Sequence, residues 1–139
     1  IQFVQKGKGV TNITGEKLYE HQVVEAVDAV LKASGGACEF YVMLANVQAA
    51  QYTLYLEHAA VSGTFAGKVD EQLLRLNVEY HAKRESGRLQ PLCSVLLRPG
   101  TAEAYRAHCV AKGQRDAQFK LIRLQYLHDC SFDFSRHLQ

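Results

Sequence analysis

Apolar and polar positions along the chain follow two different periods, and glycine marks most of the places where one gives way to the other. Over residues 18–33 the apolar Val23, Val27, Val30 and Leu31, with Val24 beside them, keep the 3.6-residue spacing of an amphipathic helix. Gly35-Gly36 ends it, since glycine accepts the left-handed conformation of a helix end without steric cost. Residues 38–45, rich in aromatic and β-branched side chains, read as a strand. Tyr52, Leu54 and Leu56 alternate with Thr53, Tyr55 and Glu57, which predicts a second strand with one buried face; residues 46–50 fit the hairpin between them.

Beyond a loop at Ser62-Gly63, Val69, Leu73, Leu76 and Tyr80 share one helical face, predicting a single long helix over 66–85 that Ser86-Gly87 closes. Residues 92–98 form an apolar strand and Pro99-Gly100 a turn. Thr101 is a good N-cap for a helix over 102–112, with Tyr105 and Cys109 on one face and Gly113 at its end. A last short strand is expected at 119–124 and a loosely held tail at 129–139. At the other end, residues 1–5 and 10–14 flank Lys6-Gly7-Lys8-Gly9 and read as a β-hairpin with a glycine-containing turn. The predicted fold is α+β: a small split βαββαβ sandwich with an N-terminal β-hairpin and a C-terminal helix plus short strand. Its helices are expected on one face of the sheet, and residues 1–139 form a single domain.

Composition narrows the function classes. With 139 residues, 47% hydrophobic and 22% charged, the chain has room for one proper core, and a disordered or fibrous protein is excluded. Sixteen Lys+Arg against 14 Asp+Glu leave a net charge of +2, too small to drive nucleic-acid binding by bulk charge. The longest uncharged run, 40–56, is broken by Asn46, Gln48 and Gln51, so no membrane span is expected, and the first residues lack a signal layout. They already read as a strand, and the only methionine is Met43, which suggests a piece of a longer polypeptide. Cys38, Cys93, Cys109 and Cys130 form no C-x-x-C pair and predict free or buried thiols in a reducing, cytoplasmic setting. The six histidines show no ligand spacing, so no metal site is expected.

Candidate chemistry is sparse. Lys6-Gly7-Lys8-Gly9 lacks the order of a phosphate-cradling loop; it reads as a hairpin turn with exposed lysines, or as a flexible hinge whose lysines reach a phosphate. Ser94 and Cys109 lack the partners of a nucleophile. Asp70 and Glu71 are expected in the first turn of a helix, and Lys83, Arg84 and Arg88 at a helix C-terminus, where the helix dipole favours each sign. Lys120 and Arg123 stand in the apolar tract 118–123. There a cation either guards a strand edge or meets an anionic partner.

Read together, several segments carry a resemblance: 3–6 with Thr14-Gly15-Glu16-Lys17-Leu18, the run L-N-V-E-Y-H-A-K-R over 76–84, Pro91-Leu92, Arg98-Pro99-Gly100-Thr101, and Gln118-Phe119-Lys120. This order resembles, over roughly 1–125, the C-terminal domain of the Gretchen Hagen (auxin-responsive promoter) family of acyl-acid amido synthetases. These belong to the adenylate-forming superfamily with acyl-CoA synthetases and luciferase. Ile122 stands where the family usually has proline, and Glu20 and Gln22 replace the usual Pro and Glu after the hinge.

The resemblance implies a hinge-proximal hairpin at 1–15, a lid core at 16–125 and a tail at 126–139. It also implies an N-terminal adenylation domain in the same polypeptide, which binds ATP, Mg2+ and the carboxylic acid. Lys120 is then the catalytic lysine, Arg123 its neighbour toward the nucleotide, and Lys6 and Lys8 phosphate-facing lysines at the hinge. The activity implied is ATP-dependent joining of a carboxylic acid to an amino acid, with the isolated lid inactive. Two alternatives stand beside it: an acyl-CoA synthetase lid, and a stand-alone split-βαβ binding or regulatory module. An RNA-binding version of that module would use Phe40, Tyr52 and Tyr55 as exposed aromatics, although the usual aromatic RNA-binding tract is absent.

Overall fold

The first helix starts where the extended backbone of Tyr19 turns and stops where Gly35 takes the left-handed conformation (φ 70°). It is α1, Glu20–Ser34, preceded by β1 (Val10–Thr11) and β2 (Leu18–Tyr19) and followed by β3 (Phe40–Asn46) and β4 (Gln51–Glu57). The structure is a computed structural model that describes residues 9–36, 38, 40–57, 64–113 and 121–139. Beyond β4 come α2 (Phe65–Leu76), α3 (Val78–Glu85), β5 (Cys93–Leu97), α4 (Thr101–Ala111), β6 (Leu124–Tyr126) and two 3-10 turns, Leu127–Asp129 and Phe134–His137.

Four strands form the main sheet in the order β5-β4-β3-β6, with β3 and β4 antiparallel and each outer strand parallel to its neighbour. This is the expected α+β class. A second, two-stranded sheet lies at the N-terminal end. Val10 and Thr11 pair with Tyr19 and Leu18, around the loop that contains Gly15, while strand 1–5 and most of the turn at Lys6–Gly9 lie outside the described residues. The last strand is β6; Leu124 is shared with the expected 119–124, of which 119 and 120 are outside the described residues.

Both faces of the sheet are covered, not one. Tyr41, Met43 and Ala45 of β3 join α1 and α2 in one core, which includes Val23, Val27, Val69 and Leu73. Phe40, Val42 and Leu44 point into a second core with Leu97, Tyr105 of α4 and Phe134. Every position of β3 but the last is buried, as a strand between two layers requires. The expected loose tail is part of that second core. Phe134 is 3% exposed and stacks 4.9 Å from the Tyr55 ring. Leu138 bridges Leu97 of the edge strand β5, the Arg98 amide donates to the His137 carbonyl (2.7 Å) and the Gln139 amide to that of Leu96 (3.1 Å). With Phe40 and Tyr52 buried and Tyr55 under Phe134, the sheet does not present these aromatics to bases.

The single helix expected over 66–85 breaks at Asn77, whose backbone is extended (φ −138°, ψ 109°). Its Oδ1 accepts the Tyr80 amide (2.8 Å) and so caps α3. Asp70 lies beyond the first turn of α2, which holds no acidic residue, so the dipole role expected for it is not seen, whereas Lys83 and Arg84 fall in the last turn of α3 as expected. Arg84 donates through Nε and Nη2 to the Asp70 carboxylate at 3.0 and 2.7 Å, and the Tyr80 hydroxyl donates to its other oxygen at 2.5 Å. That fork fastens the two helices across the break.

The expected cap of α4 is also replaced. Gly100 (φ 94°) is the N-cap, and the Thr101 hydroxyl turns back to the Arg98 carbonyl (2.6 Å). The orphan amides of Gly100 and Ala102 donate to the carboxylate of Glu57 at 2.9 and 2.6 Å. All four cysteines are half-buried. Among the described residues, no helix is long and apolar enough to cross a membrane.

Candidate functional site

Of the four residues singled out as candidates, Lys6, Lys8 and Lys120 lie outside the described residues, and Arg123 lies within them. Gly9 directly follows Lys8, and Leu121–Leu124 follow Lys120, so the described ends of both segments are on view. They meet. The Gly9 amide donates to the Leu124 carbonyl (3.1 Å), and the Glu20 amide, opening α1, donates to the Gly9 carbonyl (2.8 Å). The Glu20 carboxylate accepts the Arg123 amide (2.6 Å), while the Arg123 carbonyl accepts the Met43 amide (2.8 Å). The chain following Lys8, the chain following Lys120 and the start of α1 thus form one hydrogen-bonded seam at the β3–β6 side of the sheet.

Arg123 is the chemical centre of that seam. Its guanidinium carbon sits 4.6 Å from the centroid of the Tyr41 ring, a cation–π arrangement. Its Nε is buried and has no hydrogen-bond partner, alone in this among the side-chain nitrogens and oxygens of the described residues. A buried donor of a charged group left unmatched costs about 1–3 kcal/mol, so it marks a place where an acceptor is wanted. Burial pushes the Tyr41 hydroxyl up to about 12; the Arg123 charge opposes this, and Asp28 and Glu20 add to it. Arg123 therefore lies over a neutral tyrosine, not a phenolate.

The loop between β1 and β2, which carries Gly15-Glu16-Lys17-Leu18, is held from three sides. Glu16 is fully buried. Its carboxylate accepts the amides of Ile13 (2.8 Å) and Thr14 (3.0 Å), the Thr14 hydroxyl (2.8 Å) and the Tyr52 hydroxyl (2.7 Å). Asn77 donates to the Lys17 carbonyl (2.6 Å) and to Gln22 (3.0 Å), and Glu79 accepts the Lys17 amide (3.1 Å). Gly15 adopts φ 123°, and a Cβ there would stand 2.9 Å from Lys83 Cε. The run over 76–84 that carries the resemblance is thus a clamp on this loop. Glu20 and Gln22, departures from the usual pattern, make bonds of their own, Gln22 donating to the Leu76 carbonyl (3.1 Å).

Burial works against ionisation of Glu16, but the amide and hydroxyl donors outweigh it and hold the carboxyl below its ordinary value. The stability it contributes is then fully present above the usual glutamate range and is lost as the pH falls through the lowered folded value. Wild type should therefore exceed Glu16→Gln in denaturant midpoint near neutrality, with the gap closing below pH about 4. A gap independent of pH would show that Glu16 acts through shape and not charge.

Sequence reasoning found Arg123 because a cation in an apolar tract is conspicuous. Glu16, Glu20, Tyr41 and Asn77 were missed as partners, since their contacts lie far along the chain; Tyr52 is 36 residues from Glu16.

Comparison with known proteins bears on the fold and the family. Two solved structures match with a TM-score of 0.77, each over 95% of this chain: a GH3.15 acyl acid amido synthetase at 17% identity, and the AtGH3.15 acyl acid amido synthetase in complex with 2,4-DB at 16%. The chain spans 26% of the length of each, and at that identity the likeness is one of fold. No curated protein matches by sequence. A family model described as the GH3 family C-terminal domain matches residues 21–126, from α1 to β6, most of the chain. The chain belongs to the GH3 family, as its C-terminal domain.

Proposed function

We propose that the chain is the mobile C-terminal lid of a cytoplasmic, ATP-dependent ligase that joins a carboxylic acid to an amino acid. It closes over a nucleotide and Mg2+ held mainly by the N-terminal adenylation domain of the same polypeptide. The observation that carries this reading is Arg123. Its buried, acceptor-less Nε lies at the seam where the chains leaving Lys8 and Lys120 are bonded together. A guanidinium short of one acceptor suits a phosphate or carboxylate oxygen.

Bound ATP supplies the activated phosphate that turns a carboxylate into an acyl donor. Attack by one anion on another gathers negative charge, and cations brought by a closing lid stabilise it while excluding water. Lys120 is assigned the charge-stabilising contact, Arg123 a supporting contact to the nucleotide, and Lys6 and Lys8 phosphate contacts near the hinge. In the parent enzyme, Lys120→Ala should slow acid-dependent pyrophosphate exchange by about a hundredfold or more. Unchanged exchange would remove Lys120 from the mechanism, and nucleotide turnover by the 139 residues alone would overturn the lid reading.

A further inference from the structure

The first residue of α1 reaches both segments that converge at the seam. The Glu20 amide donates to the carbonyl of Gly9, which directly follows Lys8 in the chain (2.8 Å). Its carboxylate oxygen Oε2 accepts the amide of Arg123, in the segment that follows Lys120 (2.6 Å). The other oxygen, Oε1, lies toward Gly9, where an added Cβ would stand 3.6 Å from it. One side chain therefore spans the gap between two stretches of chain more than a hundred residues apart.

Each end of this bridge is anchored. Glu20 opens a 15-residue helix whose Val23, Ala26, Val27 and Val30 are buried, so the carboxylate starts from rigid backbone. Arg123 stands one residue before β6, and its carbonyl accepts the Met43 amide of the central strand (2.8 Å). Its amide is taken by a side chain, not by a neighbouring strand. An ionised acceptor makes that bond shorter and stronger than a neutral one would. Three residues of chain span at most about 10 Å, so a fixed Arg123 amide limits where a group carried at position 120 is delivered. We infer that Glu20 is a positioning residue: by tying the chain after Lys8 to the chain after Lys120, it sets the two lysines in one frame with α1. It acts through Lys120 and touches no nucleotide itself. This role rests on the lid reading and deepens it.

The test is acid-dependent pyrophosphate exchange by the parent enzyme. Glu20→Asp keeps the charge but shortens the reach by one methylene. It should lower kcat about tenfold and leave the KM for the carboxylic acid unchanged, since a misplacement of ~1 Å is enough to cost up to about a hundredfold. Glu20→Gln, which keeps the reach and an acceptor, should restore most of the rate. In a Lys120→Ala background, Glu20→Asp should cause no further loss, because nothing remains to be positioned. An equal loss in both backgrounds would make Glu20 a support of the fold alone and overturn the role. Glu20→Gln as slow as Glu20→Asp would also overturn it, by assigning the effect to charge and not to reach. Wild-type kcat in Glu20→Asp, beside a slowed Lys120→Ala, would overturn the role and leave the lid reading standing. Unchanged exchange in Lys120→Ala would instead remove Lys120 from the mechanism, and the role of Glu20 with it.

Discussion

Asp70→Ala is expected to lower the unfolding free energy by about 3–5 kcal/mol, the usual consequence of removing one partner from a buried ion pair. The Asp70 side chain is 8% exposed and that of Arg84 21%, so the guanidinium left behind has limited access to water. The Tyr80 hydroxyl, on a fully buried residue, would lose its acceptor as well. An arginine stays protonated at any ordinary pH, so the cation cannot escape by deprotonation. Asp70→Asn, which keeps an acceptor for Tyr80, should cost less. The double variant Asp70→Leu/Arg84→Met should recover much of the loss, because removing both charges also removes their desolvation penalty. Denaturant unfolding reads all three, and a loss below about 1 kcal/mol for Asp70→Ala would show that the fork does not fasten α2 to α3.

Phe134→Ala should be comparably severe, at about 3–5 kcal/mol, because it empties the middle of the second core. The ring packs against Phe40, Tyr55, Tyr105 and Phe132 at centroid distances of 6.3, 4.9, 5.8 and 4.9 Å. Burial holds the Tyr105 hydroxyl well above its ordinary ionisation range, in spite of the bond from Gln125. The variant should therefore also move a tyrosine titration back toward normal, and the C-terminal segment should become open to proteolysis. Phe134→Leu should retain most of the stability. If Phe134→Ala changed neither unfolding nor titration, the C-terminal segment would be ornament on an already closed core.

Elements whose signal is local were legible from the sequence. α1 declared itself through Val23, Val27 and Val30 and stopped at Gly35 as expected, and the alternation of β4 gave its buried face as Tyr52, Leu54 and Leu56. The break at Asn77 was hidden because Leu76 and Tyr80 keep the helical step across it; only the capping habit of asparagine hints at it. Partners far along the chain were invisible. Asp70 meets Arg84 fourteen residues later, and Glu57 caps a helix that opens more than forty residues on. At the candidate site, Arg123 was conspicuous by its apolar neighbours, but Tyr41 comes beneath it only through the pairing of β3 with β6. The aromatic pair Phe132 and Phe134 was the overlooked sign that the last residues pack, since a solvated tail has no use for either ring.

Burial of β3 on both sides leaves its own sequence nearly silent about its alignment. Shifted by one position, Phe40, Val42 and Leu44 would exchange sides with Tyr41, Met43 and Ala45, and both layers would still receive only greasy side chains. What forbids the slip is polar and sits next door. β4 cannot slide without drawing the Tyr52 hydroxyl away from Glu16 and Thr11, nor β6 without parting Gln125 from Tyr105. The central strand inherits its frame from these two latches. Apolar shuffling within it should therefore be forgiven, whereas loss of a hydroxyl or an amide on its neighbours invites the chain to thread itself one step out of line.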